Sequence, residues 1–409
     1  MESDKTIHRG EWTPTSWRLM PIHMQQVIYE DEVFLKQVLA RLSELPGLVS
    51  PEQIEAARKH YAEAARGESF ILIGGDCAES FDDTKDHIIA QKMDLLNYQA
   101  HHIEFVTGLP VHITARLAGQ YAKPRSQPME ALPDGRLVHA FRGHNINGPG
   151  LSERHEALLL PLESSLTKGG YNTSATFLWV GERTRQLDGA HLEYLRGLKN
   201  PIGVKIGPNT TPVEVLTLLE LLCEDNPSEP GRVTLIFRFG ADKVSAVLPP
   251  ILQAVKNSQF NPVWMCDPCH GNTISRNGVK TRSMATMLGE VKQVVATLAA
   301  HGMHLGGLHI EQTGEEDVLE CVETDGFGED VKLGENYKSL CDPRLSGAQA
   351  RTFVARVAEM LVAVERPNLK AGAKKKQSVL QIAAFAPSLT WDVFGARLPN
   401  ILGFGKTYS

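Results

Sequence analysis

One pattern constrains this chain more than any other. Short apolar runs rich in strand-formers alternate with longer stretches of helical spacing. Eight such runs occur, at Phe70–Gly74, Val111–Ala115, Thr176–Val180, Ile202–Lys205, Val233–Phe237, Pro262–Cys266, Leu305–Ile310 and Tyr337–Cys341. Helical stretches follow most of them, as at 211–223, 283–300 and 347–364. Parallel strands need a long crossover between them, and a helix is the usual one, so this alternation predicts a parallel sheet covered by helices. Eight units predict an α/β chain closed into a (β/α)8 TIM barrel. A decorated barrel also accommodates 409 residues without a second core.

The flanks read differently. Residues 1–68 are expected to form an N-terminal helical extension, with helices at 32–44 and from Pro51 to about 66. The barrel is expected over 69–365. Residues 366–409 carry a basic knot at Lys374–Lys376 and an apolar run at Val379–Phe385. They read as an atypical C-terminal appendage, either an oligomer arm or a loosely ordered tail.

Composition narrows the function classes. The net charge of −6 gives no general attraction to nucleic acid or anionic membrane, so an anionic ligand must be held by a local basic cluster. No apolar run reaches the roughly 20 residues that span a bilayer, and the N-terminus lacks the basic start and apolar core of a signal peptide. Six cysteines are too sparse for a disulfide scaffold, which places the protein in a reduced, cytoplasmic setting.

In barrels, chemistry collects where strands end. Here the runs lead into Asp76-Cys77, Arg116, Glu182-Arg183, Lys205, Arg238, Asp267-Pro268-Cys269-His270, His309 with Glu311, and Asp342-Pro343-Arg344. Lys123 and Arg125 follow shortly after the second run. Two sets emerge. Cys77, His270, Glu311 and Asp342 offer a thiolate, an imidazole and two carboxylates, a mixture suited to Mn, Co, Fe or Zn rather than Mg. Arg116, Lys123, Arg125, Arg183, Lys205 and Arg238 are cations, and arginine forks match phosphate and carboxylate. Together they imply a polyanionic substrate beside a divalent metal that polarises a carbonyl. Each residue alone is weaker. A lone cysteine is more often a buried small apolar side chain, and Cys223 and Cys321 read that way. Cys266-Asp-Pro-Cys269 matches a zinc or redox spacing, yet no second such pair exists. His101-His102 falls on a helix. Cys77 and Cys341 come close if the barrel closes.

At these residues the chain resembles the type II 3-deoxy-arabino-heptulosonate 7-phosphate (DAHP) synthases. The matching stretches are Gly-Gly-Asp-Cys-Ala-Glu (74–79), Arg-Leu-Ala-Gly-Gln-Tyr-Ala-Lys-Pro-Arg-Ser (116–126), Trp-Val-Gly-Glu-Arg-Thr-Arg-Gln-Leu-Asp-Gly-Ala-His (179–191), Val-Lys-Ile-Gly-Pro (204–208), Asp-Pro-Cys-His-Gly-Asn-Thr (267–273), Gly-Gly-Leu-His-Ile-Glu (306–311) and Cys-Asp-Pro-Arg-Leu (341–345). The resemblance implies that Cys77, His270, Glu311 and Asp342 bind a divalent metal, with manganese first and Co, Zn or Fe as alternatives. It assigns Arg116, Arg183, Lys205 and Arg238 to phosphoenolpyruvate, and Lys123, Arg125 and Ser126 to a phosphorylated aldose, erythrose 4-phosphate. Lys205 and Glu182 become the candidates for proton transfer. The implied reaction is an aldol-like condensation at the head of aromatic biosynthesis, carried out by a homo-oligomer.

The chain also departs from that family. Between Asn147-Gly148 and His155-Glu156 some tens of family residues are missing, which predicts weak or no feedback inhibition by aromatic amino acids. His144 stands where the family carries Asp, Cys269 where it carries Met, and the loop 311–318 is one residue longer. These differences keep two other readings open: the same chemistry on a different aldose or amino-sugar analogue, and a catalytically silent binding homologue. A barrel metallohydrolase fits poorly, because nothing in such a site requires six cations.

Overall fold

The computed structural model describes residues 10–24, 29, 31–77, 85–117, 129–131, 135–139, 159–324, 336–339 and 341–364. The chain divides into two units, Met1–Leu369 and Lys370–Ser409, and all described residues belong to the first.

The alternation read from the sequence is the fold. Seven strands, β1 (Phe70–Gly75), β2 (Val111–Arg116), β3 (Leu178–Val180), β4 (Ile202–Ile206), β5 (Val233–Phe237), β6 (Val263–Cys266) and β7 (Gly307–Glu311), pair in the order β2-β1-β7-β6-β5-β4-β3. Every pairing in this sheet is parallel. Crossovers include α3 (Asp86–Thr107), α4 (Leu160–Ser165), α5 (Ala190–Arg196), α6 (Pro212–Leu222), α7 (Val244–Lys256) and α8 (Met284–Ala300), and α9 (Gly347–Val364) follows β7. This curled seven-stranded parallel sheet, with helices alternating along the chain, is a half-barrel consistent with the (β/α)8 TIM-barrel fold. The first strand pairs directly with the seventh, with Ile71 opposite Gly307 and Gly75 opposite Glu311.

Among the described residues the eighth expected strand does not form. Residues 337–339 and Cys341 have no regular structure. The reason is a competing acceptor. The backbone N–H groups of Lys338, Ser339 and Arg344 donate to the Glu320 carboxylate at 3.0, 2.8 and 2.7 Å, instead of to a neighbouring strand. Among the described residues the chain rejoins the sheet at a parallel bridge, Gln312 with Leu345.

Helix boundaries follow local chemistry. α2 (Pro51–Ala65) starts at a capping box, Ser50 with Gln53, and has Pro51 in its first turn. α6 repeats the device with Thr211, Glu214 and Pro212. α3 ends on Gly108 in the left-handed region (φ 72), where a side chain would be strained. No described helix is long and apolar enough to cross a membrane.

The N-terminal helices are part of this unit. α1 (Glu32–Glu44) has no buried residue, whereas α2 plugs one end of the sheet. Tyr61, Ala64 and Ala65 join Ile71, Ile73, Phe177, Trp179, Ile236, Val263 and Met265 in one buried apolar cluster. The Tyr61 ring stacks on Phe177 at 4.5 Å, and its hydroxyl lies 3.2 Å from Thr114 Oγ1. A second, larger cluster fills the layer between strands and outer helices.

Candidate active site and metal centre

The opposite end of the sheet holds charge instead. Lys205 on β4 is buried and pairs with Asp267, which follows β6 directly. Its Nζ also lies 3.3 Å from Nδ1 of His309 on β7. The other nitrogen of His309, Nε2, lies 3.3 Å from the guanidinium of Arg116 at the end of β2. Asp267 in turn meets His270 Nδ1 at 2.7 Å, and His270 Nε2 meets Glu311 Oε1 at 3.2 Å. A single chain of polar contacts therefore crosses the mouth: Arg116, His309, Lys205, Asp267, His270, Glu311.

Electrostatics sort these groups. Burial alone would raise the Asp267 carboxyl, but His270 and Lys205 outweigh it and hold it well below the usual carboxylate range. Burial would likewise raise Glu311, and His270 with Arg282 pull it well down. Burial disfavours charge on His270, yet Asp267 and Glu311 raise it. His309 has no such partner pair; burial, Lys205 and Arg116 push it well below its ordinary value and keep it neutral. Trp179 marks the border of this charged layer. Its ring lies edge-on to His309 at 5.3 Å and under the Arg116 guanidinium at 5.9 Å.

The donor atoms of the expected metal set come together in two overlapping triads. His270, Glu311 and Asp342 have ligand atoms within 4.8 Å of one another, and so do Cys77, Cys341 and Asp342. Asp342 belongs to both. Cys77 Sγ is 3.7 Å and Cys341 Sγ 3.8 Å from Asp342 Oδ2. Two ligands on one ion at about 2.0–2.3 Å each lie within about 4.6 Å of each other; the Cys77–Asp342 and Cys341–Asp342 separations meet this, and Asp342 is the group that links the two triads. The chemistry of the set, sulfur, nitrogen and oxygen together, fits a transition metal. Cys341 is an additional donor that the sequence reading had noted only as a neighbour of Cys77.

Two cations flank the cage. A tight hairpin, Ile274–Arg276 with Val279–Thr281, turns at Asn277 (φ 49) and Gly278 (φ 80). Such two-residue turns favour Asn-Gly because both positions need positive φ. The hairpin brings Lys280 to Asp342 Oδ1 at 2.7 Å, and Arg282, just beyond it, to Glu311 Oε2 at 2.7 Å. Burial and the Glu311 charge would raise Asp342, but the Lys280 hydrogen bond, Arg282 and His270 leave it lowered.

Behind the cage lies a second ionic group. Asp76, next to Cys77, meets Lys92 Nζ on α3 at 2.6 Å and also pairs with Arg344. Arg344 sits two residues beyond Asp342 and also donates to Glu320 at 2.7 and 3.0 Å. The carboxylate of Glu320 thus fixes the 338–344 segment that carries both Cys341 and Asp342.

The remaining expected residues sit nearby in sequence and sheet order. Glu182 and Arg183 occupy a short 3-10 turn after β3. A Cβ on Gly207 would fall 1.9 Å from Glu182 Oε1, so a larger residue there would displace this carboxylate from its position. Arg238 continues β5, its N–H donating to Ile206 O at 2.9 Å. Arg185, between these cations in sequence, is engaged elsewhere with Glu214 and with Thr210 at 2.7 Å. Lys123, Arg125, Ser126, His144 and the short 148–155 connection lie outside the described residues, as does 365–409.

All six cysteines are free thiols. Cys266 and Cys269 do not act as a pair: Cys269 Sγ accepts the Glu311 N–H at 3.3 Å, and burial pushes both thiols up.

Comparison with known proteins decides the lineage. Residues 12–154 and 151–358 match the class-II DAHP synthetase family. The chain belongs to that family. Three curated relatives carry the name phospho-2-dehydro-3-deoxyheptonate aldolase. The Neurospora crassa protein is 34% identical, covering 88% of this chain and 96% of its own length. The Streptomyces coelicolor protein is 33% identical, over 84% and 96%. The Mycolicibacterium smegmatis protein, 35% identical, spans 78% and 89%. The two segments matching the class-II DAHP synthetase family overlap at residues 151–154, within the stretch expected from the sequence to be short of family residues.

Proposed function

We propose that this family member condenses phosphoenolpyruvate with erythrose 4-phosphate to give DAHP and phosphate, with a divalent metal held by Cys77, His270, Glu311 and Asp342. The observation that supports it is the unbroken chain of contacts from Arg116 to Glu311. It joins phosphate-binding cations to metal donors across one mouth, which a two-anion condensation requires and a simple hydrolysis does not.

In this reading Arg116, Arg183, Lys205 and Arg238 hold the phosphate and carboxylate of phosphoenolpyruvate, and Lys123, Arg125 and Ser126 hold the aldose phosphate. A divalent cation held by Cys77, His270, Glu311 and Asp342 would supply Lewis acidity toward the aldehyde oxygen. A bond forms between carbon 3 of phosphoenolpyruvate and the aldehyde carbon. Water adds at carbon 2, and phosphate leaves. Glu182, in the space above Gly207, and Lys205 move the protons. Asp267 and neutral His309 keep Lys205 in place, so the charges need not reorganise during the reaction. The protein works in a reduced, cytoplasmic setting as a dimer or tetramer, and with the short 148–155 connection it escapes aromatic feedback.

The test is phosphate release and product mass, measured after stripping the protein with chelator and restoring Mn2+. Release that needs both substrates and the metal, with a product of DAHP mass, is expected. Turnover only with another phosphorylated aldose would reassign the second substrate, and consumption of neither substrate would refute the reaction.

A further inference from the structure

Two loops of the mouth touch backbone to backbone. One follows β5 and carries Arg238; the other follows β6 and carries His270. A Cβ on Gly271 would fall 2.3 Å from Gly240 N, and one on Gly240 (φ 86) would fall 2.8 Å from Gly271 O. No residue larger than glycine fits at this contact without pushing the loops apart.

The contact is locked from outside by Glu290 of α8, which is fully buried. Its Oε1 accepts the N–H groups of both Phe239 and Gly240 at 3.0 Å. Its Oε2 accepts from Asn272 Nδ2 at 2.5 Å. Asn272 also donates to Pro268 O at 2.8 Å and accepts from Ala241 N at 3.0 Å. One carboxylate thus grips the phosphate-side loop with one oxygen and the metal-side loop with the other. Among the described residues its hydrogen bonds go to Phe239, Gly240 and Asn272, none of them a reacting group.

We propose that Glu290 is a positioning residue that fixes the distance between Arg238 and His270, so that the metal and phosphoenolpyruvate strengthen each other's binding through it. The proposal rests on the reading of the site given above. Its logic is that of supports behind metal ligands, whose loss costs about 10–100-fold in metal affinity or activity. Linkage makes the coupling reciprocal: whatever factor the metal adds to substrate affinity, the substrate adds to metal affinity.

The test is Glu290→Gln. Glutamine keeps an oxygen for Phe239 and Gly240 but turns an N–H2 toward the Asn272 amide, so it breaks the metal-side grip alone. Mn2+ affinity is read from the free-ion electron paramagnetic resonance signal of the full chain, without and with phosphoenolpyruvate, alongside circular dichroism. The expected result is a folded variant whose Mn2+ affinity falls about tenfold, and in which phosphoenolpyruvate no longer tightens Mn2+ as it does in the parent. Unchanged Mn2+ affinity and unchanged coupling in a folded variant would overturn the proposal. If Glu290→Gln fails to fold, Asn272→Ala breaks the same grip from the other loop. Failure of both to fold would make Glu290 scaffold only and end the idea. A parent protein that binds Mn2+ but not phosphoenolpyruvate refutes the reaction reading instead, and the clamp is then judged on Mn2+ affinity alone.

Discussion

The two ends of one sheet are built from the same strands and could hardly differ more. At the floor, Tyr61, Phe177, Ile71, Ile236 and Val263 form a closed apolar plug. At the mouth, a few residues further along the same strands, Arg116, Lys205, Asp267, His309 and Glu311 are just as buried, yet all are polar. Trp179 lies between, packed in the floor cluster and touching both His309 and Arg116. The floor is held by area removed from water, which is non-directional and tolerant. The mouth depends on charges that satisfy one another, and removing one leaves its partner buried and uncompensated. Stability and chemistry are therefore separated by position along each strand.

Substitutions at the two ends should break differently. The largest effect is expected at the mouth. Lys205→Met removes a predicted substrate contact and one of the two cationic partners of Asp267, which keeps His270, so turnover should fall by about 10³-fold and stability by about 1–3 kcal/mol, read by phosphate release and denaturant unfolding. Loss of stability without loss of turnover would collapse the distinction. At the floor, Tyr61→Ala should cost about 3–5 kcal/mol and leave the KM for phosphoenolpyruvate unchanged at a temperature where the variant is folded; a shifted KM would show that the floor shapes the site.

A pH experiment sharpens the contrast at the boundary between loops. Burial raises Glu290 from 4.5 to about 7, despite its hydrogen bonds from Gly240 and Asn272. A folded-state value above the unfolded one means that the fold holds a proton the unfolded chain has already released. This contribution is fully present below about pH 4.5 and is lost as pH rises through about 7. Unfolding titrations between pH 5 and pH 8 should therefore show wild-type stability declining relative to Glu290→Gln, and parallel curves would contradict this. The smallest effect belongs to Tyr61→Phe, which removes only the contact with Thr114 and should cost about 1 kcal/mol, with activity intact.

Much of this was legible before any coordinates. Buried parallel strands read as continuous apolar runs, which is why β1, β4 and β5 stand out. Helix starts were legible where a capping residue and a proline coincide, as at Ser50-Pro51 and Thr211-Pro212. The candidate donors at strand ends stood out because a mixed thiol, imidazole and carboxylate set is unusual. The supports were not. Tyr337–Cys341 reads as the eighth short run, while the Glu320 carboxylate that takes its backbone N–H groups lies 18 or more residues away. Arg282, Lys92, Arg344 and Glu290 are ordinary charged residues until folding sets them against Glu311, Asp76, Glu320 and Asn272. Only the Asn277-Gly278 turn gave a local signal for the hairpin that delivers Lys280 and Arg282.

The central claim is that thiol, imidazole and carboxylates from four separate strand ends and loops share one cation. Anomalous diffraction at the manganese edge, from crystals grown with Mn2+, tests it most directly. The account predicts a single strong peak within bonding distance of Cys77 Sγ, His270 Nε2, Glu311 and Asp342. A peak elsewhere, or one that leaves out both His270 and Glu311, would contradict it.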